Sequence, residues 1–248
     1  MDTAPPLAGR SVLITGGAKR LGAAIGRRLH AAGAALAVHY NQSRAAADAL
    51  VAEFESIRPG SALAVRADLH DVERLPHLVA AAVERFGRLD ILVNNASTFY
   101  PTPVGTITAA QFDDLVGTNL RAPLFLSQAA APALAEASGL IINMVDIHGE
   151  RPLRAHPVYS AAKAGLVMLT RSLARELGPQ VRVNGIAPGP VMWPERDLED
   201  ALKTEIIAKT ALKRSGSPED IARAAYFFAV DAPYVTGQVI AVDGGRSL

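Results

Sequence analysis

Length, composition and charge set the first limits on this protein. Its 248 residues are 50% hydrophobic and 20% charged, a composition that buries a large core and excludes a disordered or fibrous chain. The 25 basic and 24 acidic side chains leave a formal charge of +1, so we expect a small-molecule partner and no nucleic acid. The absence of cysteine excludes disulfides and thiolate chemistry, and no apolar run is long enough for a membrane span. We therefore expect a cytoplasmic protein without a membrane partner.

Short aliphatic runs alternate with longer alanine-rich stretches along the chain. The aliphatic runs predict seven strands, at Ser11–Thr15, Ala35–Tyr40, Ala62–Ala67, Ile91–Asn94, Leu140–Val145, Val181–Ala187 and Val239–Val242. The other stretches predict helices at Leu21–Ala32, Ser43–Ile57, Val72–Phe86, Ala109–Ala137, Val158–Leu177 and Pro218–Val230. Repeated βαβ units of this kind build an α/β fold around a parallel sheet. We predict a single domain over residues 1–248, with an insertion at about 189–210 that leads into a charged helix.

A glycine-rich turn follows the first predicted strand and leads directly into a helix. It reads Thr15-Gly16-Gly17-Ala18-Lys19-Arg20-Leu21-Gly22, and in this setting backbone amides hold a pyrophosphate. The spacing is not GxGxxG, so a tight turn without a ligand is the alternative. About twenty residues later, where an NAD site carries a carboxylate, the chain has His39-Tyr40-Asn41-Gln42-Ser43-Arg44. Imidazole, amide and hydroxyl groups there favour NADP over NAD, unless His39 merely closes the strand.

Tyr159 and Lys163 stand four residues apart and share one face of a predicted helix. A neighbouring cation lowers the pKa of a phenol, which suits Tyr159 to act as a general acid. The alternative is that both side chains are surface residues without a role.

In order and spacing, these residues resemble the short-chain dehydrogenase/reductase superfamily over nearly the whole chain. The matching features are the Thr-Gly turn, Asn94-Asn95-Ala96-Ser97, Asn119, Tyr159 with Lys163, and Pro188-Gly189. The resemblance implies a Rossmann-type doubly wound sheet in the order 3-2-1-4-5-6-7, a tyrosine proton donor, a lysine that also holds the nicotinamide ribose, and commonly a homotetramer. It makes Asp68-Leu69 the adenine contact, with helix capping by Asp68 as the alternative.

Two residues depart from the superfamily pattern. Arg20 replaces the middle glycine of the turn, and Asp146 stands where the superfamily has its catalytic serine. An ionised carboxylate cannot donate a hydrogen bond to a ketone oxygen, so we expect a substrate other than an ordinary ketone. A structural carboxylate in an enzyme that has lost its activity is the alternative for Asp146.

Both departures, with the segments Asn95–Pro103 and Asn143–Asp146, resemble the pteridine reductases. The resemblance implies that Arg20 reaches the cofactor phosphate and the pterin, and that Phe99 stacks on the pterin ring. We expect NADPH-dependent hydride transfer to the C=N bond of a dihydropterin, and of oxidised pterin or dihydrofolate as further candidates. A carbonyl reductase of the 3-oxoacyl type and a non-catalytic NADP(H)-binding sensor are the alternatives. Trp193 is a candidate cover for the substrate or an anchor for its loop.

The residues and the resemblance together supply three sets of expected site residues, and the chain has no HExxH or clustered acidic motif that predicts a metal site. The cofactor-binding residues are Gly16, Lys19, Arg20, Leu21, His39, Tyr40, Asn41, Ser43, Asp68, Leu69, Asn95, Ala96, Asn119, Tyr159, Lys163, Pro188 and Gly189. The substrate-binding residues are Arg20, Ser97, Phe99, Asp146, Tyr159 and Trp193. The catalytic residues are Asp146, Tyr159 and Lys163.

Overall fold

Seven parallel strands form one sheet in the computed structural model, which describes residues 4–192 and 199–248. The strands are β1 (Ser11–Ile14), β2 (Ala35–Tyr40), β3 (Ala62–Arg66), β4 (Ile91–Asn94), β5 (Leu140–Met144), β6 (Arg182–Pro188) and β7 (Val239–Val242). Their order, β3-β2-β1-β4-β5-β6-β7, confirms the predicted fold, and every neighbouring pair is parallel. The predicted strand bounds agree to within one residue.

Eight α-helices connect the strands within the described ranges. They are α1 (Arg20–Ala31), α2 (Arg44–Ile57), α3 (Leu75–Phe86), α4 (Ala109–Val116), α5 (Ala122–Glu136), α6 (Pro157–Glu176), α7 (Asp200–Ala208) and α8 (Pro218–Tyr226). The charged helix expected in the insertion is α7. Helical backbone runs unbroken over residues 109–136, in agreement with the single helix predicted over Ala109–Ala137, but a π-helical segment, Gly117–Arg121, divides it into α4 and α5. A second π-helical segment, Phe227–Asp231, follows α8.

The strands are apolar on both faces because helices cover both sides of the sheet. On one side Ile14 and Val38 pack in a core with residues of α1, α2 and α8, and on the other Leu13 and Leu92 pack with residues of α3 and α5. None of the helices in residues 4–192 and 199–248 combines the length and apolarity that a membrane crossing requires.

The chain order of the strands reverses between β1 and β4, which lie side by side at the centre of the sheet. In open α/β sheets a ligand binds beyond the carboxyl ends of the strands at such a point. Thr15 and Asn95 begin the loops that follow these two strands, so both loops border this crevice.

Buried amides join β4 and β5 to the helices behind them. The amide nitrogen of Asn94 donates to Asn143 Oδ1 at 2.8 Å and to Ser127 Oγ at 3.2 Å, and that of Asn143 donates to Thr170 Oγ1 at 2.9 Å. These side chains are at most 3% exposed. Because buried polar groups need partners, the network fixes β5 against α6, the helix that carries Tyr159.

Candidate active site

The glycine-rich turn after β1 is tied to the loop after β4. Thr15 Oγ1 accepts hydrogen bonds from the backbone nitrogens of Asn95 and Ala96, at 2.9 and 3.0 Å, and the Asn95 amide donates to the Thr15 carbonyl at 2.8 Å. Gly16 has a φ of 58°, and a Cβ on Gly22 would lie 2.5 Å from the Gly16 carbonyl oxygen. The tight approach therefore requires these glycines. Thr15 was missed as a site residue, although its place at a strand end before the glycine was a signal.

Helix α1 begins at this turn without a side-chain cap from its N-cap residue, Lys19, and without an acidic residue in its first turn. Its first backbone N–H groups and the helix dipole favour an anion. Arg20 has a φ of 53°, a left-handed conformation that glycine adopts more easily, and it is exposed. The turn and the helix start thus have the features of a pyrophosphate site.

His39 joins three chain segments and offers no ring nitrogen to a ligand. Gly16 N donates to His39 Nδ1 at 3.1 Å, and His39 Nε2 lies 3.2 Å from the Ala67 carbonyl oxygen, which only accepts. The ring is 2% exposed, and burial lowers its pKa, which keeps it neutral. This corrects our expectation that the His39 imidazole holds a 2′-phosphate. The side chain holds the turn and the end of β3 against β2.

Two further residues expected at the adenosine end point into the core. Tyr40 is 8% exposed and belongs to the core on the α1 side of the sheet, whereas Leu69 is 7% exposed and belongs to the core on the α3 side. Asp68 is exposed, and its Oδ1 accepts from His70 N at 3.0 Å in a turn, but it does not cap a helix, because α3 has Arg74 at its N-cap. Asn41 is also exposed.

Asp146, Tyr159 and Lys163 meet between β5 and α6. The hydroxyl of Tyr159 donates to Asp146 Oδ2 at 2.7 Å, and Asp146 Oδ1 accepts from His148 N at 2.8 Å. Lys163 Nζ donates to the Met144 carbonyl at 2.8 Å and lies 5.7 Å from the centre of the Tyr159 ring. The three residues expected to be catalytic are therefore brought together.

The electrostatics of this group differ from the expectation. Burial and the Asp146 carboxylate raise the pKa of Tyr159 well above its usual value, with the Ser97 hydroxyl opposing them. Burial lowers the pKa of Lys163 to about 8, although Asp146 acts in the other direction. The raised pKa of Tyr159 is opposite in direction to the lowered pKa predicted for it, because burial and the bonded Asp146 carboxylate both favour the protonated phenol. Tyr159 therefore stays protonated.

Phe99 presents a ring at the same site. It is 41% exposed, stacks on His156 with ring centres 4.7 Å apart, and meets the edge of Tyr159 at 4.8 Å. Its exposure argues against a role in core packing alone. His156 was not among the expected site residues, and its position three residues before Tyr159 was the available signal.

Asn119 supports the loop that carries Ser97 and Phe99. Its amide donates to the carbonyls of Leu115 and Thr98, both at 2.9 Å, and its Oδ1 accepts from Ser97 Oγ at 2.7 Å. Because Asn119 is fully buried, we now assign it to positioning this loop and not to contacting a cofactor.

The segment after β6 lies against the residue that follows β7. Pro188 is the last residue of β6, and a Cβ on Gly189 would lie 2.5 Å from the Cβ of Asp243, so the two backbones approach closely. Trp193 lies outside the described residues.

A family profile, two curated proteins and a solved structure each match nearly the whole chain. A family profile described as enoyl-(acyl carrier protein) reductase matches residues 16–247. The chain is 38% identical to pteridine reductase 1 of Leishmania tarentolae, over 95% of this chain and 96% of that protein. It is 35% identical to the 3-oxoacyl-[acyl-carrier-protein] reductase FabG of Staphylococcus aureus strain Mu50, over 95% and 97%. A solved blue fluorescent protein from a metagenomic library, in complex with NADPH, matches with a TM-score of 0.92 and 35% identity, over 98% of this chain and 100% of that chain.

Proposed function

The chain belongs to the short-chain dehydrogenase/reductase superfamily of oxidoreductases, and we propose that it is a pteridine reductase that reduces a dihydropterin with NADPH. The observation that carries this proposal is the 2.7 Å hydrogen bond from Tyr159 to Asp146. An ionised carboxylate that accepts this bond has no hydrogen to donate to a ketone oxygen, whereas it can accept hydrogen bonds from the N–H and amino groups of a pterin. Oxidised pterin and dihydrofolate are further candidate substrates.

The described residues fit a dinucleotide. The turn from Gly16 to Leu21, with Lys19 and Arg20, would hold the pyrophosphate, because α1 begins there without a side-chain cap from its N-cap residue. Asn95, Ala96 and Pro188-Gly189 would border the nicotinamide end, where Lys163 would hold the ribose. When bound, NADPH supplies the hydride for the C=N carbon.

The chain's own residues supply the proton. Tyr159 keeps its proton at neutral pH because burial and Asp146 raise its pKa. Asp146, once it has bound a proton from solvent, gives that proton to the ring nitrogen and is left as the carboxylate that accepts the Tyr159 hydroxyl, 2.7 Å away. Lys163 and the Met144 carbonyl hold the base of this group in place.

The substrate needs a flat apolar surface and polar partners. The exposed ring of Phe99 provides the surface for stacking. Ser97, which Asn119 holds by a 2.7 Å hydrogen bond, provides a hydroxyl for the polar edge of the pterin. Arg20 and Trp193 remain candidate substrate contacts, the first from the glycine turn and the second from the substrate loop.

A reductase of 3-oxoacyl thioesters is the second candidate, because the FabG relative is nearly as similar as the pteridine reductase. Purified protein with NADPH should be given dihydrobiopterin, dihydromonapterin, dihydrofolate and a 3-oxoacyl thioester. We expect NADPH oxidation with at least one pterin and none with the thioester. Turnover of the thioester alone would overturn the proposal, and NADPH binding without turnover of any substrate would favour a sensor.

Replacing Asp146 tests the proton step. Asp146→Ala should lower kcat for the dihydropterin by about 100-fold or more, the usual contribution of a general acid, and change the Kd of NADPH by less than about threefold. Asp113→Ala, at an exposed carboxylate on α4, is the matched control and should change neither value. Equal losses in kcat and NADPH affinity for Asp146→Ala would instead make Asp146 a structural residue.

We also propose that residues 1–248 form one NADP-binding catalytic domain, with a substrate loop at about 189–210, and that four copies form a homotetramer. Large exposed apolar side chains on α4, α5 and α6 support assembly. They are Phe112, Leu124, Phe125 and Met168, exposed by 50, 38, 37 and 58%. The cytoplasmic location stays a prediction.

A further inference from the structure

The end of β2 lacks a cation for the 2′-phosphate of NADPH. Residues 41–43 are Asn, Gln and Ser, which carry no charge, and Arg44, the first residue of α2, forms an ion pair with Asp48 at 3.4 Å. His39 is buried and neutral, with both ring nitrogens bonded to backbone groups. Proteins bind phosphate monoesters most strongly with charged donors. A cation without an acidic partner must therefore come from another element.

The neighbouring strand β3 provides one. Arg66 is the last residue of β3 and pairs in register with Tyr40, the last residue of β2. Adjacent strands lie about 4.8 Å apart, so Arg66 begins close to Asn41. Ala67 N donates to the Tyr40 carbonyl at 3.2 Å, and His39 binds the Ala67 carbonyl, so both contacts fix this strand end.

Arg66 has a free guanidinium group. It is exposed and makes no side-chain hydrogen bond or ion pair with any residue in the ranges 4–192 and 199–248. Arg66 and Asn41 line the same cavity, of about 600 Å³, beside the start of α3. Arg74 also lines it but forms an ion pair with Asp71 at 3.2 Å. Arg66 is therefore the arginine of this cavity that has no acidic partner.

We propose that Arg66 binds the 2′-phosphate of NADPH and sets the preference for NADPH over NADH. This rests on the proposed function only in that NADPH is the cofactor. The amide of Asn41 donates to the same phosphate. His39 is a positioning residue, because it holds Gly16 and Ala67 on either side of β2 without touching the phosphate.

Nucleotide binding to the full chain, without any pterin, tests this proposal. Wild type, Arg66→Met, Arg66→Lys and Arg74→Met should be titrated with 2′,5′-ADP and with 5′-AMP. Arg66→Met should bind 2′,5′-ADP about 10- to 100-fold more weakly, the range for one charge-assisted hydrogen bond, and 5′-AMP within about twofold of wild type. Arg66→Lys should recover part of the loss. Arg74→Met is the matched control and should bind both nucleotides as wild type does.

Three further variants separate the rival explanations. His39→Gln should weaken both nucleotides by the same factor, because it loosens the whole adenosine end. Lys19→Met and Arg44→Met test two other exposed cations near this end, and loss of 2′,5′-ADP binding in Arg44→Met but not in Arg66→Met would overturn the proposal. Loss of 2′,5′-ADP binding in Lys19→Met but not in Arg66→Met would overturn the proposal, as would equal losses of both nucleotides in Arg66→Met. A melting temperature for each variant detects unfolding. Because no pterin is present, either outcome leaves the pteridine reductase proposal to its own test.

Discussion

Arg20 holds a backbone conformation in which a Cβ atom is unfavourable. At a φ of 53° a residue other than glycine costs about 1–2 kcal/mol relative to its ordinary conformation. Such strain persists where the surrounding structure imposes it, most often at functional sites. The turn that follows β1 and the start of α1 impose this conformation here. An arginine at a strained position therefore indicates that its side chain has a function.

Two substitutions separate the backbone of Arg20 from its side chain. Arg20→Gly and Arg20→Ala both remove the guanidinium, and only the alanine keeps a Cβ. We expect Arg20→Gly to have a free energy of unfolding about 1 kcal/mol higher than that of Arg20→Ala, because only glycine relieves the left-handed strain. Urea unfolding measures the difference. Equal stabilities would show that the turn relaxes when the side chain is shortened.

The role of a single residue was predictable from sequence where the residue departs from a family motif. It was less predictable where the role depends on a side chain or backbone group that is distant in sequence. Arg20 and Asp146 stand out because they occupy positions with a known residue preference. The role of His39 depends on Ala67, which the register between β2 and β3 brings beside it. The raised pKa of Tyr159 likewise depends on burial and on Asp146, which is thirteen residues away in sequence. In the folded protein the Tyr159 hydroxyl lies 2.7 Å from Asp146 Oδ2.

At the scale of elements, α1 carries two glycines with different surroundings. A Cβ on Gly22 would lie 2.5 Å from the Gly16 carbonyl oxygen and 2.7 Å from the Asn95 amide nitrogen. A Cβ on Gly26 would lie 3.5 Å from the Phe54 ring, an ordinary contact. The first glycine therefore lets the helix approach the turn, whereas the second only lowers helix propensity.

The two positions make a matched pair of variants. Gly26→Ala should raise the free energy of unfolding by up to about 1 kcal/mol, the helix-propensity difference between glycine and alanine. Gly22→Ala should lower it by about 1–3 kcal/mol, because the added methyl overpacks the turn, and should also weaken NADPH binding. Thermal unfolding and a cofactor titration measure both effects. Similar behaviour of the two variants would contradict the close approach at Gly22.

Elements were predictable where one physical pattern determines them. The strands followed from apolar runs, since buried parallel strands need apolar side chains on both faces. The π-helical segment Gly117–Arg121 was not predictable, because one extra residue in a helical turn hardly changes the composition of the segment. Yet this segment places Asn119 beneath Ser97, so the missed feature shapes the site.

At the scale of the whole molecule, burial of Lys163 couples stability to pH. The side chain is 2% exposed, and its pKa falls from about 10.5 in the unfolded chain to about 8. Between these two pH values the unfolded chain binds a proton that the native protein does not. The free energy of unfolding therefore rises with pH over that window. It falls again as pH decreases towards 8, because the native protein must then bury a charged ammonium group.

Lys163→Met removes this ionisable group, so the pH dependence of its unfolding can be compared with that of the wild type. Between pH 8 and about 10, the free energy of unfolding of the wild type should rise relative to that of the variant by up to about 1.4 kcal/mol per pH unit. The raised pKa of Tyr159 affects both proteins and cancels in the difference. Denaturant unfolding at half-unit steps of pH measures the two curves. Parallel curves would mean that Lys163 keeps its ordinary pKa in the native protein.

The paired amides of Asn94 and Asn143 determine how the two strands beneath the site align. β4 and β5 are otherwise aliphatic, apart from a final methionine in β5, so a one-residue slip would exchange one apolar contact for another. In the native register the two asparagines are opposite each other and share a 2.8 Å hydrogen bond. A slip would bury both amides without this partner, at a cost of about 1–3 kcal/mol each. Two polar residues thus select one alignment of the sheet, and with it the position of Asp146 opposite Tyr159.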